Sequence, residues 1–503
     1  MFKILKASKD TYITDRIVNN NFRATDANVG QAATLDLYKL YDESTISGST
    51  TPTEISRALI KFDLDPIRAL TGSLIDISHS SFKCTLMMND INGGQTVPTN
   101  FRLSLFPLSQ AFDEGLGRDV VSFADIDSCN FITASMTSDT VTTWIISGAN
   151  SMGLLGSTNL DIISSGNLSD GLGVVNLWKE QLFSDGTEDL SIDITTIVSA
   201  TLKGLLPDHG FRLSFSGTHE TDTQSRFVKR FASRHTSNKK LVPRILVKFN
   251  DSVHDNHNDF VFDTTGTLFL QNSIRGSLTN LISGTTLLTT ASTITLTLVS
   301  GTFSSSFNAN QHHFGAMYIS GVYSSTFALA SNNSLLKNEI ISAGSATFSE
   351  IWGSSDGTVG FFTGTFIAKS NSKTAFSHAR HNQTVTISNM KVEYGSTDIV
   401  RFRVHVVDND ETPTLTRTVF DRPSNIYQRM HYRIRDAHSA DIIVPFDETY
   451  MSTHMSTDSD GMYFDVHMDS LTTGYVYTFD ILIRDISDQL YTNIGRFRVT
   501  QFS

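Results

Sequence analysis

Side chains able to bind metals or move protons fall into a few short stretches of this 503-residue sequence. In STDSDGMYFD, Asp458, Asp460 and Gly461 have the spacing of half a calcium loop, with Asp465 as a further oxygen ligand. The later bidentate glutamate and the flanking helices of an EF-hand are missing, so an Asp-Gly hairpin is the simpler reading. DSVHDNHNDF supplies Asp251, His254, Asp255, His257 and Asp259, but it has no periodicity and no second cluster, and reads as a solvated connection. His312 and His313 are neighbours, so on a strand they point to opposite faces and cannot share one ion. Asp408, Asp410 and Glu411 read as a solvated turn at a strand end. No G-x-S-x-G elbow occurs. Asp113 and Glu114 sit near a predicted loop, where acidic groups are common and do not by themselves define a glycosidase pair. The expectation is a non-enzyme with no catalytic residue, cofactor or metal, Asp458, Asp460 and Asp465 being the weak metal candidates.

A basic cluster stands out against the net charge of −12: Arg226, Lys229, Arg230, Arg234, His235, Lys239, Lys240, Arg244 and Lys248. Alternation places several of these on one exposed face. That face is either a docking patch for an acidic protein or anionic glycan, or a set of charges guarding a sheet edge. The overall acidity argues against nucleic acid or an anionic membrane as partner.

The elements that must position these groups are strands. Hydrophobic residues make up 39% and charged residues 18%, with 34 Phe and many Thr, Val and Ile, a composition that favours β-structure. RALIKFDL (57–64), ILVKF (245–249), STITLTLVSG (292–301) and IVRFRVHVVD (399–408) all alternate with period two. The length requires more than one core. The expected architecture is all-β, as tandem antiparallel sandwiches. A large jelly-roll-like domain spans 1–250, a linker 251–260, a Ser/Thr-rich sandwich 261–396 and an immunoglobulin-like sandwich 397–503. Arg226–Phe231 and Val242–Phe249 are expected to pair as a hairpin closing the first domain. Further strands are expected at 74–77, 82–88 and 103–107, with Pro66 opening one helical turn. RFRV occurs at 401–404 and 496–499, read as the first and last strands of the last domain. Cys84 and Cys129 are too few for a disulfide framework and read as reduced core thiols, with a single disulfide as the alternative. MFKILKASKD has no apolar run of signal-peptide length, and no stretch reaches the roughly 20 apolar residues of a membrane helix.

In the N-terminal half, several short motifs follow in a specific order. They are Asp10, Tyr12 and Ile13; then Arg57, Leu59, Ile60, Phe62, Asp63 and Leu64; then Phe112, Glu114, Gly115 and Gly117. Asn130–Phe131, Thr143–Trp144 and a Gly-rich turn at 148–156 come next, followed by LSIDITTIV (190–198), HGFRL (209–213) and FASR (231–234). This half resembles the DNRLRE-type domain, a carbohydrate-binding-module-like β-sandwich of surface and secreted proteins. Phe112 and Phe131 stand where family members usually carry Trp, and this copy is longer. The resemblance implies a host-surface glycan as ligand, with Trp144 and Trp178 as the residues to stack on sugar rings.

The final 110 or so residues, with RIRDAHSADIIVPFD (433–447) and STDSDGMYFD (456–465), resemble virion structural proteins of large contractile-tailed marine phages. That resemblance implies a multi-copy virion component at the neck, collar, tail, capsid surface or another appendage. Its partners would be other virion proteins and copies of itself, and it would assemble in the host cytoplasm.

Overall fold

The computed structural model describes residues 1–501 apart from 47–51, 73, 92–93, 95–96, 125–126, 169–172, 276, 290–293, 371–381, 410–423 and 485–486. The chain is all-β, and it divides into two compact units. One comprises Lys3–Arg68 and Lys83–Val247; the other comprises Met1–Phe2, Ala69–Phe82 and Lys248–Ser503. No helix among the described residues is long and apolar enough to cross a membrane.

The first unit is built on ten strands: β1 (Phe2–Thr14), β2 (Thr34–Tyr41), β3 (Thr53–Phe62), β4 (Lys83–Met88), β5 (Phe101–Pro107), β6 (Lys179–Phe183), β7 (Leu190–Asp193), β8 (Phe211–Phe215), β9 (Arg226–Ala232) and β10 (Arg244–Lys248). Their order is β6-β5-β8-β3-β1-β10-β4-β7, with β2 joining the outer side of β3 and β9 joining β2. β3 is central, and Ala58, Leu59 and Ile60 are all fully buried, as expected of a strand covered on both faces.

The runs expected to form a closing hairpin do not pair. β9 runs antiparallel to β2, with Phe231 opposite Leu35, while β10 lies between β1 and β4. Each run finds its partner near the N-terminus, so the closure is long-range. The expected strand at 74–77 is a series of turns, whereas Pro66 does sit in a single helical turn, Asp65–Arg68. Cys84 and Cys129 are free, buried thiols.

The second unit holds two bodies of strands. The first contains β11 (Thr265–Gln271), β12 (Ile294–Ser300), β13 (Phe303–Phe314), β14 (Met317–Ala328), β15 (Ser345–Ser354) and β16 (Gly360–Lys369), in the order β11-β14-β13-β12-β15-β16. β13 changes partner halfway: its first half pairs with β12 and its second half with β14. The sheet therefore folds over on itself. Phe260 touches Phe327 of β14 at 5.0 Å and Phe366 of β16 at 5.4 Å. Four strand steps would hold those rings ~19 Å apart in a flat sheet. Trp352, Phe348 and Tyr323 fill the core between, and helix α1 (Lys337–Ala343) closes it with Ile340.

The C-terminal strands form a two-sheet sandwich. One sheet holds β17 (Gln383–Ile387), β19 (Ile399–Asp408), β22 (Ser456–Asp458) and β23 (Gly461–His467); the other holds β18 (Glu393–Gly395), β20 (Met430–Asp436), β21 (Ile442–Val444), β24 (Val476–Arg484) and β25 (Asp488–Thr500). The two RFRV copies lie in opposite sheets, and their rings, Phe402 and Phe497, meet across the core at 5.8 Å. Phe464 and Phe479 complete that aromatic centre.

Residues 251–260, expected to be a solvated linker, are tied into this unit. Val253 accepts a hydrogen bond from the Thr457 amide at 2.8 Å, and Asp255 exchanges bonds with the Thr457 hydroxyl at 2.8 and 2.9 Å. Phe260 is 1% exposed. An extended segment with apolar residues at both ends has a backbone to satisfy, and it does so against β22.

Candidate functional site

The basic cluster is not an exposed patch. Lys229 is fully buried, and its ammonium donates to Asp90 and to the carbonyls of Gly186 and Glu188, both at 2.8 Å. Burial holds its pKa below the ordinary lysine value, while the Asp90 hydrogen bond opposes that shift. Arg226 is buried against Asp222, Arg230 is bidentate on Asp36, and Arg234 is bidentate on Glu114. Lys239 is exposed, with its ammonium on the Arg234 carbonyl at 2.9 Å, and Lys240 is half-buried. The alternation failed because β9 carries a register shift between Arg226 and Lys229, which turns both inward and leaves Phe227 47% exposed.

The residues expected to stack on sugars are packed instead. Trp144 is 4% exposed, and its indole N–H donates to the Asn130 carbonyl at 3.0 Å. Trp178 is half-buried and stacked on Phe106 at 6.0 Å. The weak metal candidates are held by arginines: Arg403 is bidentate on Asp458 and reaches Asp460 at 3.3 Å, while Arg401 is bidentate on Asp465. Asp458 and Gly461 close an antiparallel hairpin, as the Asp-Gly pattern suggests. Asp410 and Glu411 lie outside the described residues.

Two ionisable clusters were not legible as sites. In the second unit, His257 lies between Asp255 and Glu350, its Nε2 2.8 Å from Glu350 and its Nδ1 on Asp255. Burial opposes the charged ring, but the hydrogen bonds and charges of both carboxylates outweigh it and raise the pKa to about 10. Both nitrogens are occupied, so the imidazolium acts as a fixed bridge between residue 255 and β15.

In the first unit, Asp10, Glu114, Arg234 and His235 converge. The Asp10 amide donates to Glu114 Oε1 at 3.0 Å, and Asp10 Oδ2 accepts from the Arg234 amide at 2.6 Å. Arg234 Nη2 donates to Glu114 Oε2 at 2.8 Å, and His235 Nε2 lies 3.2 Å from Oε1. Asp10 is 0% exposed, and its Oδ1 has no partner. Burial first, then the neighbouring Glu114 charge, pushes its pKa up to about 7, against the Arg234 amide. Asn28 fixes the loop carrying Glu114: its side-chain amide donates to the Glu114 and Cys129 carbonyls at 2.9 and 2.7 Å, and its oxygen accepts from the Gly117 amide at 2.8 Å. Gly115 has φ +77°, and a Cβ there would fall 2.3 Å from the Asn28 amide nitrogen, so the turn requires glycine. Asp10, Glu114 and Arg234 all belong to the ordered motifs of the N-terminal half, but their convergence on one point is tertiary.

The middle strands present a different kind of surface. On the outer face of β12, β13, β15 and β16 stand Thr295, Thr297, Ser304, Ser306, Thr347, Ser349, Ile351, Thr363, Thr365 and Ile367, with no ionisable side chain among them. β16 is the last strand of its sheet and carries no charge from Gly360 to Ala368. Only its end is held by a further segment of the described chain, through Phe260, Val261 and Phe262 at Lys369. Phe362 and Ile367 are 46% and 47% exposed.

No family model matches this chain, and no curated protein matches it. Among solved structures, it is similar to the N-terminal Ig1-2 module of the Drosophila receptor protein tyrosine phosphatase DLAR (7% identity, 49% of this chain and 95% of that one, TM-score 0.14). It is also similar to the trypsin-activated alpha-2-macroglobulin of Escherichia coli (9%, 90% and 23%, TM-score 0.17) and to the BSP domain of a biofilm-associated protein (9%, 99% and 90%, TM-score 0.16).

Proposed function

We propose that this chain is a non-enzymatic virion structural protein of a large tailed phage, carried in several copies at the neck or another appendage and acting through protein–protein contacts. The observation that supports it best is the bare edge of β16 beside a broad uncharged Thr/Ser/Ile face. Edge-strand backbone without Lys, Glu or Pro, as from Gly360 to Ala368 here, is a template for another strand. β16 of a second copy supplies a matching one, and pairing would bury Phe362 and Ile367. A stable contact of this type covers at least about 1,000 Å², which an edge alone does not reach, so the adjoining face belongs to it. The ionisable clusters fit a structural role, since carboxylates and imidazole are bound to one another or to arginines instead of standing free in a cleft. Light scattering on the purified chain, and localisation in a cryo-EM reconstruction of the intact particle, test this reading. Copies meeting through β16 are expected; a monomeric chain that binds oligosaccharides on a glycan array contradicts it.

A further inference from the structure

We propose that Asp10, Glu114 and His235 form a binding site for a divalent transition-metal cation of the Zn²⁺ class. One ligand atom from each lies within 4.8 Å of the others. The carboxyl Oδ1 of Asp10 is buried and takes no hydrogen bond, although Oδ2 and the Asp10 amide are both bonded. A buried carboxylate oxygen without a donor is costly, and a cation between it and Glu114 supplies the missing partner. Two carboxylate oxygens and one imidazole nitrogen are a donor set for Zn²⁺ with a coordination position left for water.

One edge of such a site is already near its length, while Glu114 Oε1 must exchange the Arg234 Nε and Asp10 amide donors for the ion. His235 Nε2 and Glu114 Oε1 are already 3.2 Å apart, close to the edge of about 3.4 Å that a tetrahedron with ~2.1 Å bonds requires. Arg234 is the competing cation at Glu114. On metal binding its Nη2 stays on Oε2 as an outer partner of the ligating carboxylate, while Oε1 turns to the ion. His235 keeps its proton on Nδ1 and offers Nε2. Access is open, because the side chains of His235 and Arg234 are 26% and 34% exposed. Lys239, the next cation outward, is held on the Arg234 carbonyl and not on either ligating carboxylate. The ion would join β1 and the Glu114 loop to the turn after β9, adding to the Lys9–Asp113 ion pair and the Arg234 and His235 contacts to Glu114. This proposal is independent of the virion reading.

The test is calorimetric titration of the chelator-dialysed full-length chain with ZnCl₂, with bound zinc counted by elemental mass spectrometry. One equivalent should bind to the wild-type chain beyond whatever His235→Ala retains, and Asp10→Asn should lower affinity at least tenfold. His235 lies in a partly exposed turn, so its variant is expected to fold and reports even where Asp10→Asn does not. Zinc should also raise Tm in the wild type and not in His235→Ala. No tight equivalent in the wild type, or equal stoichiometry and affinity in His235→Ala, overturns the proposal.

Discussion

The first unit and the middle strands of the second handle sheet edges and charges in opposite ways. In the first unit the outer strands carry charge: β6 has Glu180 paired with Arg102 at 2.7 Å, β7 has Asp193 paired with Lys83, and β9 has Arg230 on Asp36. Several of its cations, Arg226, Lys229 and Arg230 among them, are paired with carboxylates, and Lys229 is fully buried. The middle strands carry no charge along β16 from Gly360 to Ala368, and Lys369 stands at the end of the row formed by Thr363, Thr365 and Ile367. A sheet that guards its own edges can stand alone, whereas one that leaves an edge bare depends on a partner. On the proposed reading, the N-terminal half is the scaffold and the middle strands are the contact surface.

The comparison breaks first at Lys229. Lys229→Ala leaves Asp90 partly buried without its cation, and a loss of about 3–5 kcal/mol in denaturant-measured stability is expected. Lys229→Met, which also removes charge but keeps volume, should lose less. A loss below about 1 kcal/mol for both would mean that the inward charges do not hold the unit together.

The second effect is pH-dependent. Asp10 has a folded pKa of about 7 against an unfolded value near 4, so the folded chain binds more protons between those limits. Stability is therefore highest while Asp10 is protonated and falls as pH rises from about 4 to 7, by ~4 kcal/mol at most for this group. In metal-free buffer Asp10→Asn should flatten that part of the curve, read as Tm between pH 5 and 7.5. An unchanged slope contradicts the assignment.

Much of this was legible in the sequence, and the failures have common physical causes. Period-two patterns locate β3, β10, β12 and β19 to within a few residues; β10, β12 and β19 bury one alternating apolar set, whereas β3 is buried on both faces. Pairing was not legible: nothing in RFVKRF says that it lies beside LDLYKLY, almost two hundred positions earlier. A register shift within that strand then inverted the faces assigned to Arg226 and Lys229. The candidate metal cluster was hidden for the same reason, since Asp10 and Glu114 are 104 positions apart and His235 another 121 further on. The linker was misread because its polar composition says nothing of the β22 backbone waiting for it.

The smallest effect on stability belongs to the bare edge. Thr365→Lys places a charge on an exposed strand position and should change monomer stability by no more than about 0.5 kcal/mol. Its effect on assembly should be large, because a lysine there guards the edge as the charges of the first unit do. Ile367→Lys should behave in the same way.

The most direct measurement is therefore sedimentation equilibrium of the wild-type chain beside Thr365→Lys. The wild type is expected as a concentration-dependent oligomer and Thr365→Lys as a monomer of unchanged Tm. A wild-type chain that stays monomeric at tens of micromolar, or a Thr365→Lys chain that associates equally well, would contradict the account of β16 and its face as the contact surface.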